Sequence, residues 1–125
     1  MSEEERLDGQ GSLHLQVAKA VARGHRSVVG RGPAVARAFS HHNVLVVVLE
    51  NGLTEGERRL VAAGLEEGVW RTREQFHELL RAPLVDAVEE LTGCHVEAFM
   101  SARNLAPDVT AELFVLDRPL PAVPP

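Results

Sequence analysis

The feature that most constrains this chain is an aliphatic run over residues 44–49, Val-Leu-Val-Val-Val-Leu, which contains no polar side chain. A strand with one solvated face alternates apolar and polar residues, so a run without a polar face predicts an inner strand covered on both sides. The run is far shorter than the roughly 20 apolar residues that a helix needs to cross a bilayer. We expect helices on one face of this strand and a second copy of the chain on the other.

Period-two alternation predicts three further strands. Residues 34–41 alternate larger and small side chains and are separated from the aliphatic run by a short polar turn, which is typical of a β-hairpin. Residues 95–101 alternate in the same way, and a loop over residues 103–108 leads to a last strand, Val109–Leu116. One face of that last strand consists of Thr110, Glu112, Phe114 and Leu116.

Two helical regions accompany these strands. Apolar residues at three- and four-residue spacing begin after Ser12, a residue type suited to an N-cap, and end at the glycines and proline of residues 30–33. The second region opens with a capping box at Thr54 and ends at Gly93, a C-terminal cap. Because Pro83 interrupts this region, it predicts either one long helix kinked at the proline or two abutting helices.

The resulting order, α-β-β-α-β-β, predicts a two-layer α+β fold with a four-stranded, mostly antiparallel sheet packed on helices. A chain of 125 residues fits one domain. We place this domain at residues 12–117, between a disordered acidic tail over residues 1–11 and a proline-rich, extended and unpacked tail over residues 118–125. Trp70 and Phe76 are expected in the core, and apolar area left over on the helices predicts a homodimer.

Composition indicates a cytoplasmic protein without a membrane-inserted segment. The acidic N-terminus is unlike a signal peptide, and the lone cysteine, Cys94, fits a reducing compartment. A net charge of −5 argues against nucleic-acid binding. Residues 9–49 nevertheless carry lysine and arginine but no acidic residue, which predicts either an anionic partner or pairing with the acidic helix downstream.

The most site-like string is Gly-Arg-Gly-Pro at residues 30–33. Glycines let backbone N–H groups approach an anion closely, and an arginine side chain offers a planar fork of donors. The predicted anion site consists of Gly30, Arg31, Gly32, Arg37 and His41. The alternative is a helix stop with a structural glycine, because the string lacks the spacing of a nucleotide-binding loop and follows a helix.

No metal, cofactor or catalytic motif is present in the sequence. The histidines lack the spacing of metal ligands, and the adjacent His41 and His42 would point to opposite faces of an extended chain. Ser40 beside His41, and Cys94 beside His95, are neighbours that rarely face each other within a strand. We therefore expect no metal, no cofactor and no enzymatic activity.

Several strings together resemble one bacterial family. They are Gly30-Arg31-Gly32-Pro33, the aliphatic run leading into Gly52-Leu53-Thr54, Val88-Glu89-Glu90-Leu91-Thr92-Gly93, and Glu112-Leu113-Phe114-Val115-Leu116. Over residues 12–117 the chain is similar to the MpsC-like proteins of the sodium-translocating, membrane-potential-generating system. The resemblance implies a small, soluble protein associated with a membrane system linked to sodium, membrane potential and inorganic-carbon uptake. It implies no catalytic residues.

From this resemblance we expect a non-enzymatic cytoplasmic accessory or regulatory protein of a membrane sodium-linked ion or bicarbonate transport system, with a membrane transport protein as partner. One alternative is a sensor of a small anion or metabolite, bound in a dimer-interface pocket lined by Arg31, Arg37, Phe39 and His41. A second alternative is a small enzyme with a composite site across the dimer.

Overall fold

The structure, a computed structural model, describes residues 3–122. Its elements are α1 (Glu3–Val29), β1 (Val35–His41), β2 (Val44–Glu50), α2 (Glu55–Ala62), α3 (Glu66–Thr92), β3 (Val96–Asn104) and β4 (Val109–Leu116). The four strands form one antiparallel sheet in the order β1-β2-β4-β3. The predicted α+β class and the β1–β2 hairpin are confirmed.

Helices α1 and α3 pack on one face of the sheet, which we call the inner face. Leu45, Val47 and Leu49 of β2 are buried beneath them, whereas Val44, Val46 and Val48 on the opposite face are only half-buried. The predicted inner position of this strand in the sheet is confirmed. The opposite face of the sheet, which we call the outer face, carries no helix within residues 3–122.

Helix α1 begins at Glu3, so the start predicted at Ser12 is wrong and the segment assigned to a tail is helical from Glu3 onward. Once Leu13 packs in the core, each upstream residue adds a helical hydrogen bond without a new nucleation cost. Met1 and Ser2 lie outside the described residues.

The second helical region is two helices, and the break falls at Gly64 instead of at Pro83. Gly64 has φ +76, a left-handed conformation that a glycine adopts without strain. Pro83 lies on the exposed side of α3, where water can bond the carbonyl group that the proline leaves free. The buried Leu80 and Leu84 on the other side hold the helix together across it.

The C-terminal segment is packed where it was expected to be free. Leu120 is 4% exposed and belongs to the main core. Its N–H donates to the carbonyl of His42, and its own carbonyl accepts from the side chain of Gln10. An apolar side chain among the prolines is enough to fix residues 118–120 against α1 and the hairpin. Residues 123–125 lie outside the described range.

Candidate functional site

The glycines of the predicted anion string have structural roles. Gly30 has φ +89, and its N–H donates to the carbonyl of Arg26 at 3.0 Å, which ends α1. A Cβ on Gly32 would lie 3.0 Å from the guanidinium of Arg26, so Gly32 leaves room for that side chain. The helix-stop interpretation therefore accounts for both glycines, and an anion site has to be judged on Arg31.

Arg31 lines a small cavity of about 10 Å³ between the helices and the inner face. Its Nη2 donates to the carbonyl of Asn51 at 3.3 Å, but its Nε is buried and no described residue accepts a hydrogen bond from it. Two further guanidinium groups, those of Arg73 and Arg103, line the same cavity. Because the volume is about that of one water molecule, a polyatomic anion does not fit the cavity as it stands.

Arg73 is anchored to the carboxylate of Glu57. Its Nε donates to Glu57 Oε2 at 2.8 Å, its Nη2 donates to Oε1 of the same carboxylate, and its Nη2 also donates to the carbonyl of Gly52 at 2.9 Å. Glu57 accepts from the N–H of Thr54 at 2.8 Å as well, which confirms the predicted capping box. Burial raises the pKa of Glu57, but the hydrogen bonds from Arg73 and Thr54 outweigh it and hold the pKa below its ordinary value.

Arg103 comes from β3, which continues to Asn104 and takes in the first residues of the predicted loop. Its Nε donates to the hydroxyl of Thr110 at 3.3 Å. Burial, followed by the nearby charge of Arg73, lowers the pKa of Arg103, while carboxylates around it act in the opposite direction. The wall of the cavity thus carries three guanidinium groups and the carboxylate of Asp108, while Glu57 and Glu112 act on Arg103 from outside it.

A second polar cluster is centred on Glu112, whose side chain is 1% exposed in the middle of the inner face. Nε2 of the buried His25 lies 3.2 Å from Glu112 Oε1. The hydroxyl of Ser101 donates to Glu112 Oε2 and lies 2.9 Å from Nδ1 of His77. A continuous hydrogen-bonded chain therefore connects α1, the sheet and α3 through four side chains.

This series of hydrogen bonds reaches the surface at an open cavity of about 590 Å³. His77 and Ser101 line the cavity together with charged residues of α3. In a serine–histidine–acid relay the acid bonds the histidine and the histidine bonds the serine. Here the carboxylate of Glu112 bonds Ser101 directly, so the acid does not orient His77. The geometry is that of a buried polar network tying the two layers together.

Acid should weaken the fold in two stages. The pKa of His14 lies below its ordinary value of 6.5 because of burial, and that of Glu57 lies below 4.5 for the reasons given above. Both groups therefore contribute stability that is complete above these ordinary values and is lost as the pH falls through the lowered ones. We expect the free energy of unfolding, measured by denaturant titration from pH 7 to pH 3, to fall first near the His14 step and again near the Glu57 step.

Two variants test which residue causes each stage of the loss of stability. His14→Asn should remove the stage just below pH 6.5 and leave the more acidic one in place. Glu57→Gln should reduce stability at neutral pH and flatten the acidic stage. A free energy of unfolding that stays constant down to pH 4 in the unmodified chain would contradict the assignment of His14.

Within one chain, the predicted anion residues do not meet. Arg31 lies on the inner side of the sheet, whereas Arg37 lies on the outer face and is 3.2 Å from the Glu50 carboxylate, with its side chain 66% exposed. His41 is at the other end of β1, beside a separate cavity of about 450 Å³. Arg37 and His41 share the outer face with Phe39, so a pocket at a dimer interface could include these three but not Arg31.

The two adjacent histidines are closer than expected. His42 has φ +53 in the hairpin turn, and this conformation brings its ring centroid to 4.2 Å from that of His41. The chain is therefore not extended at this point, and the hairpin turn supplies the loop conformation that a joint site of the two histidines would need. Among residues 3–122 no group of three or more His, Cys, Asp or Glu side chains is arranged to hold a metal ion.

Apart from Arg31, and Glu57 in the capping box, the residues that form the two buried clusters were not identified from the sequence. The strongest available signal was Glu112, which alternation places on the same face as Phe114 and Leu116. A carboxylate on an otherwise apolar strand face needs a buried partner. The partner itself, His25, is 87 residues away along the chain, so no local pattern could reveal it.

Comparison with known proteins identifies a family. A family model described as Na+-translocating membrane potential-generating system (MpsC) matches residues 9–118. Searches of curated proteins and of solved structures found no match. Within the described part of the chain, no helix combines the length and the apolar character needed to cross a membrane.

Proposed function

This chain belongs to the MpsC family, and we propose that it is a non-enzymatic accessory or regulatory protein that works in the cytoplasm with a membrane sodium-linked transport system. The family description, which names a sodium-translocating, membrane-potential-generating system, supports the association. An accessory role requires a surface that a protein partner can bind. The helical layer offers such a surface.

An apolar groove on the helical layer is the observation that carries this proposal. The groove has a volume of about 200 Å³ and lies between α2, α3 and the end of α1, where Val29, Leu60, Val69 and Phe76 line it. Leu60 is 41% exposed. A concave apolar surface with room for a side chain is typical of the pockets that receive anchor residues of a binding partner.

Large apolar side chains next to the groove along the chain are also exposed. Leu65, between α2 and α3, is 60% exposed. Trp70, which was expected in the core, is 38% exposed, whereas Val69 beside it is buried. Tryptophan is enriched among the residues that dominate binding energy at protein interfaces. We therefore place the contact with the transport protein at the groove and its rim.

The test is capture of the partner by tagged protein from detergent-solubilised membranes. We expect a sodium-linked transport protein, identified by mass spectrometry, to be retained by the unmodified chain and reduced about tenfold or more by Leu60→Asp, since a buried carboxylate opposes an apolar anchor. Leu79→Asp is the matched control, because Leu79 is 63% exposed on α3 and does not line the groove. Equal recovery with both variants, or no transport protein at all, would contradict the proposal.

A small-anion sensor is the second candidate function. The observation that favours it is the buried Nε of Arg31, which has no acceptor among the described residues, in a cavity with two other guanidinium groups. An anion larger than one water would have to open this cavity to bind. Native mass spectrometry separates the candidates: a retained anion that Arg31→Ala removes supports the sensor, and its absence together with a captured transport protein supports the accessory role.

A further inference from the structure

The outer face of the sheet is apolar across all four strands. Strand register places the following apolar residues on it: Val35 and Phe39 of β1, Val44, Val46 and Val48 of β2, Ala98, Met100 and Ala102 of β3, and Val109, Ala111, Leu113 and Val115 of β4. The polar residues of this face are Arg37, His41, Glu50 and Asn104, on the two edge strands and at one strand end. The face therefore has an apolar centre and a polar rim.

No helix of the described chain covers this face. Phe39 is 54% exposed, Met100 is 49% exposed and Val35 is 39% exposed. The valines at the centre of the face are half-buried only by their neighbours within the sheet. Isolated exposed apolar side chains are ordinary, but a contiguous set of this kind marks a surface that binds another protein.

The outer face is large enough to form the apolar centre of a subunit interface. Four strands about 4.8 Å apart, each with about seven residues rising about 3.3 Å, span roughly 19 by 23 Å, or roughly 440 Å² before side chains add relief. The largest apolar patches of monomeric proteins are about 300–600 Å², and a standard interface uses about 800 Å² from each partner. The flat area of the outer face lies within the first range, so an interface of standard size would also include its projecting side chains and its polar rim.

We propose that the outer face is the interface of a symmetric homodimer in which two sheets pack face to face. The absence of charge at the centre requires a partner surface that is equally apolar and flat, and a second copy of the chain supplies one. On the rim, Arg37 and Glu50 pair with each other within one chain at 3.2 Å, so each copy brings a neutralised pair to the interface. Sheets stacked in this way lie about 10 Å apart.

The shapes of the two edge strands are also complementary. If the two-fold axis runs parallel to the strands, β1 of one protomer lies over β3 of its partner. Strand register places Phe39 in the row of Val46, Leu113 and Met100, so Phe39 of one protomer lies over Met100 of its partner, where the small Ala98 and Ala102 on either side leave room for it. Burial of this face also completes the cover that the uninterrupted aliphatic strand requires. The groove for the transport protein stays free, since it lies on the helical layer.

Sedimentation velocity of the full chain tests the interface. We expect a dimer at about 10 µM, and we expect Phe39→Glu and Met100→Glu each to weaken it by about 100-fold or more, because each places a charge between the two apolar faces. Both side chains are about half exposed, so circular dichroism should show a folded monomer. Leu79→Glu, on the helical layer, should remain a dimer.

Other outcomes overturn the proposal. A monomer at about 100 µM for the unmodified chain excludes a stable homodimer. A dimer that tolerates both outer-face variants but is lost with Leu79→Glu would place self-association on the helices. If the unmodified chain is monomeric and Phe39→Glu abolishes capture of the transport protein, the outer face binds that protein instead. Failure of the dimer leaves the Leu60 test of the accessory role unaffected.

Discussion

Replacement of Arg73 by alanine should lower the free energy of unfolding by about 3–5 kcal/mol, the range seen when one partner of a buried ion pair is removed. The side chains of Arg73 and Glu57 are 5% and 12% exposed. Without the guanidinium, Glu57 would hold a negative charge in a poorly solvated position while it still caps α2. The carbonyl of Gly52 would lose its donor as well. Denaturant titration at pH 7 measures the change.

Arg71, two residues before Arg73 on α3, supplies the matched control. Its Nη2 lies 3.4 Å from Glu67, but the two side chains are 68% and 89% exposed, so water and salt screen the pair. Arg71→Ala should therefore change the free energy of unfolding by less than about 0.5 kcal/mol. Similar values for Arg73→Ala and Arg71→Ala would show that burial does not decide the contribution of these pairs.

The double variant Arg73→Met, Glu57→Gln tests whether Arg73→Ala is unstable because it leaves the charge of Glu57 unpaired or because it removes the attraction between the two side chains. Once both charges are removed, no carboxylate is left buried without a cation, and apolar replacement of a buried pair is often close to neutral. We expect the double variant to be more stable than Arg73→Ala. If the two were equally unstable, the loss would come from the packing around α2 and not from the orphaned charge.

Local patterns were sufficient to predict most of the fold. The aliphatic run became β2, the alternation of residues 109–116 became β4, and the capping box at Thr54 began α2. Each of these signals acts between residues a few positions apart, where sequence spacing and spatial distance agree. Gly93, with φ +70, ended α3 for the same reason.

The errors share a physical cause, which is packing between distant segments. Leu120 is held by contacts with α1 and the hairpin. The proline-rich composition of its segment contains no sign of these contacts, and it predicted a free tail. Pro83 removes one hydrogen bond from α3, but the buried side chains before and after it preserve the helix. Both outcomes depend on contacts that no local window contains. The break at Gly64 is the exception, because a left-handed glycine is a local signal of the same kind as Gly93.

The candidate site shows the same limit more strongly. The string at residues 30–33 was recognised because its glycines are neighbours, and these proved to serve the end of α1 and the side chain of Arg26. The guanidinium groups that meet Arg31 come from α3 and β3. Their convergence requires the finished sheet and its helices. Only Glu112 signalled in advance that a buried polar cluster must exist.

Glu112→Ala should lower the free energy of unfolding by about 3–5 kcal/mol. The substitution leaves His25 and Ser101 without their acceptor, and it opens a void in the centre of the inner face. Glu112→Gln keeps the volume and one acceptor oxygen, so a smaller loss, about 1–2 kcal/mol, is expected. Glu97→Ala, on an exposed position of β3, is the control and should lie within about 0.5 kcal/mol of the unmodified chain.

A double-mutant cycle on His25 and Glu112 then tests whether the two layers are held together by this contact. Since His25 Nε2 lies 3.2 Å from Glu112 Oε1 and both side chains are buried, His25→Leu and Glu112→Leu together should destabilise the chain by less than the sum of the single changes. A one-residue slip of β4 would turn Glu112 to the outer face, so the pair also opposes wrong strand register. Additive losses would mean that Glu112 is stabilised chiefly by Ser101, and that α1 contributes packing but no specific contact to this part of the sheet.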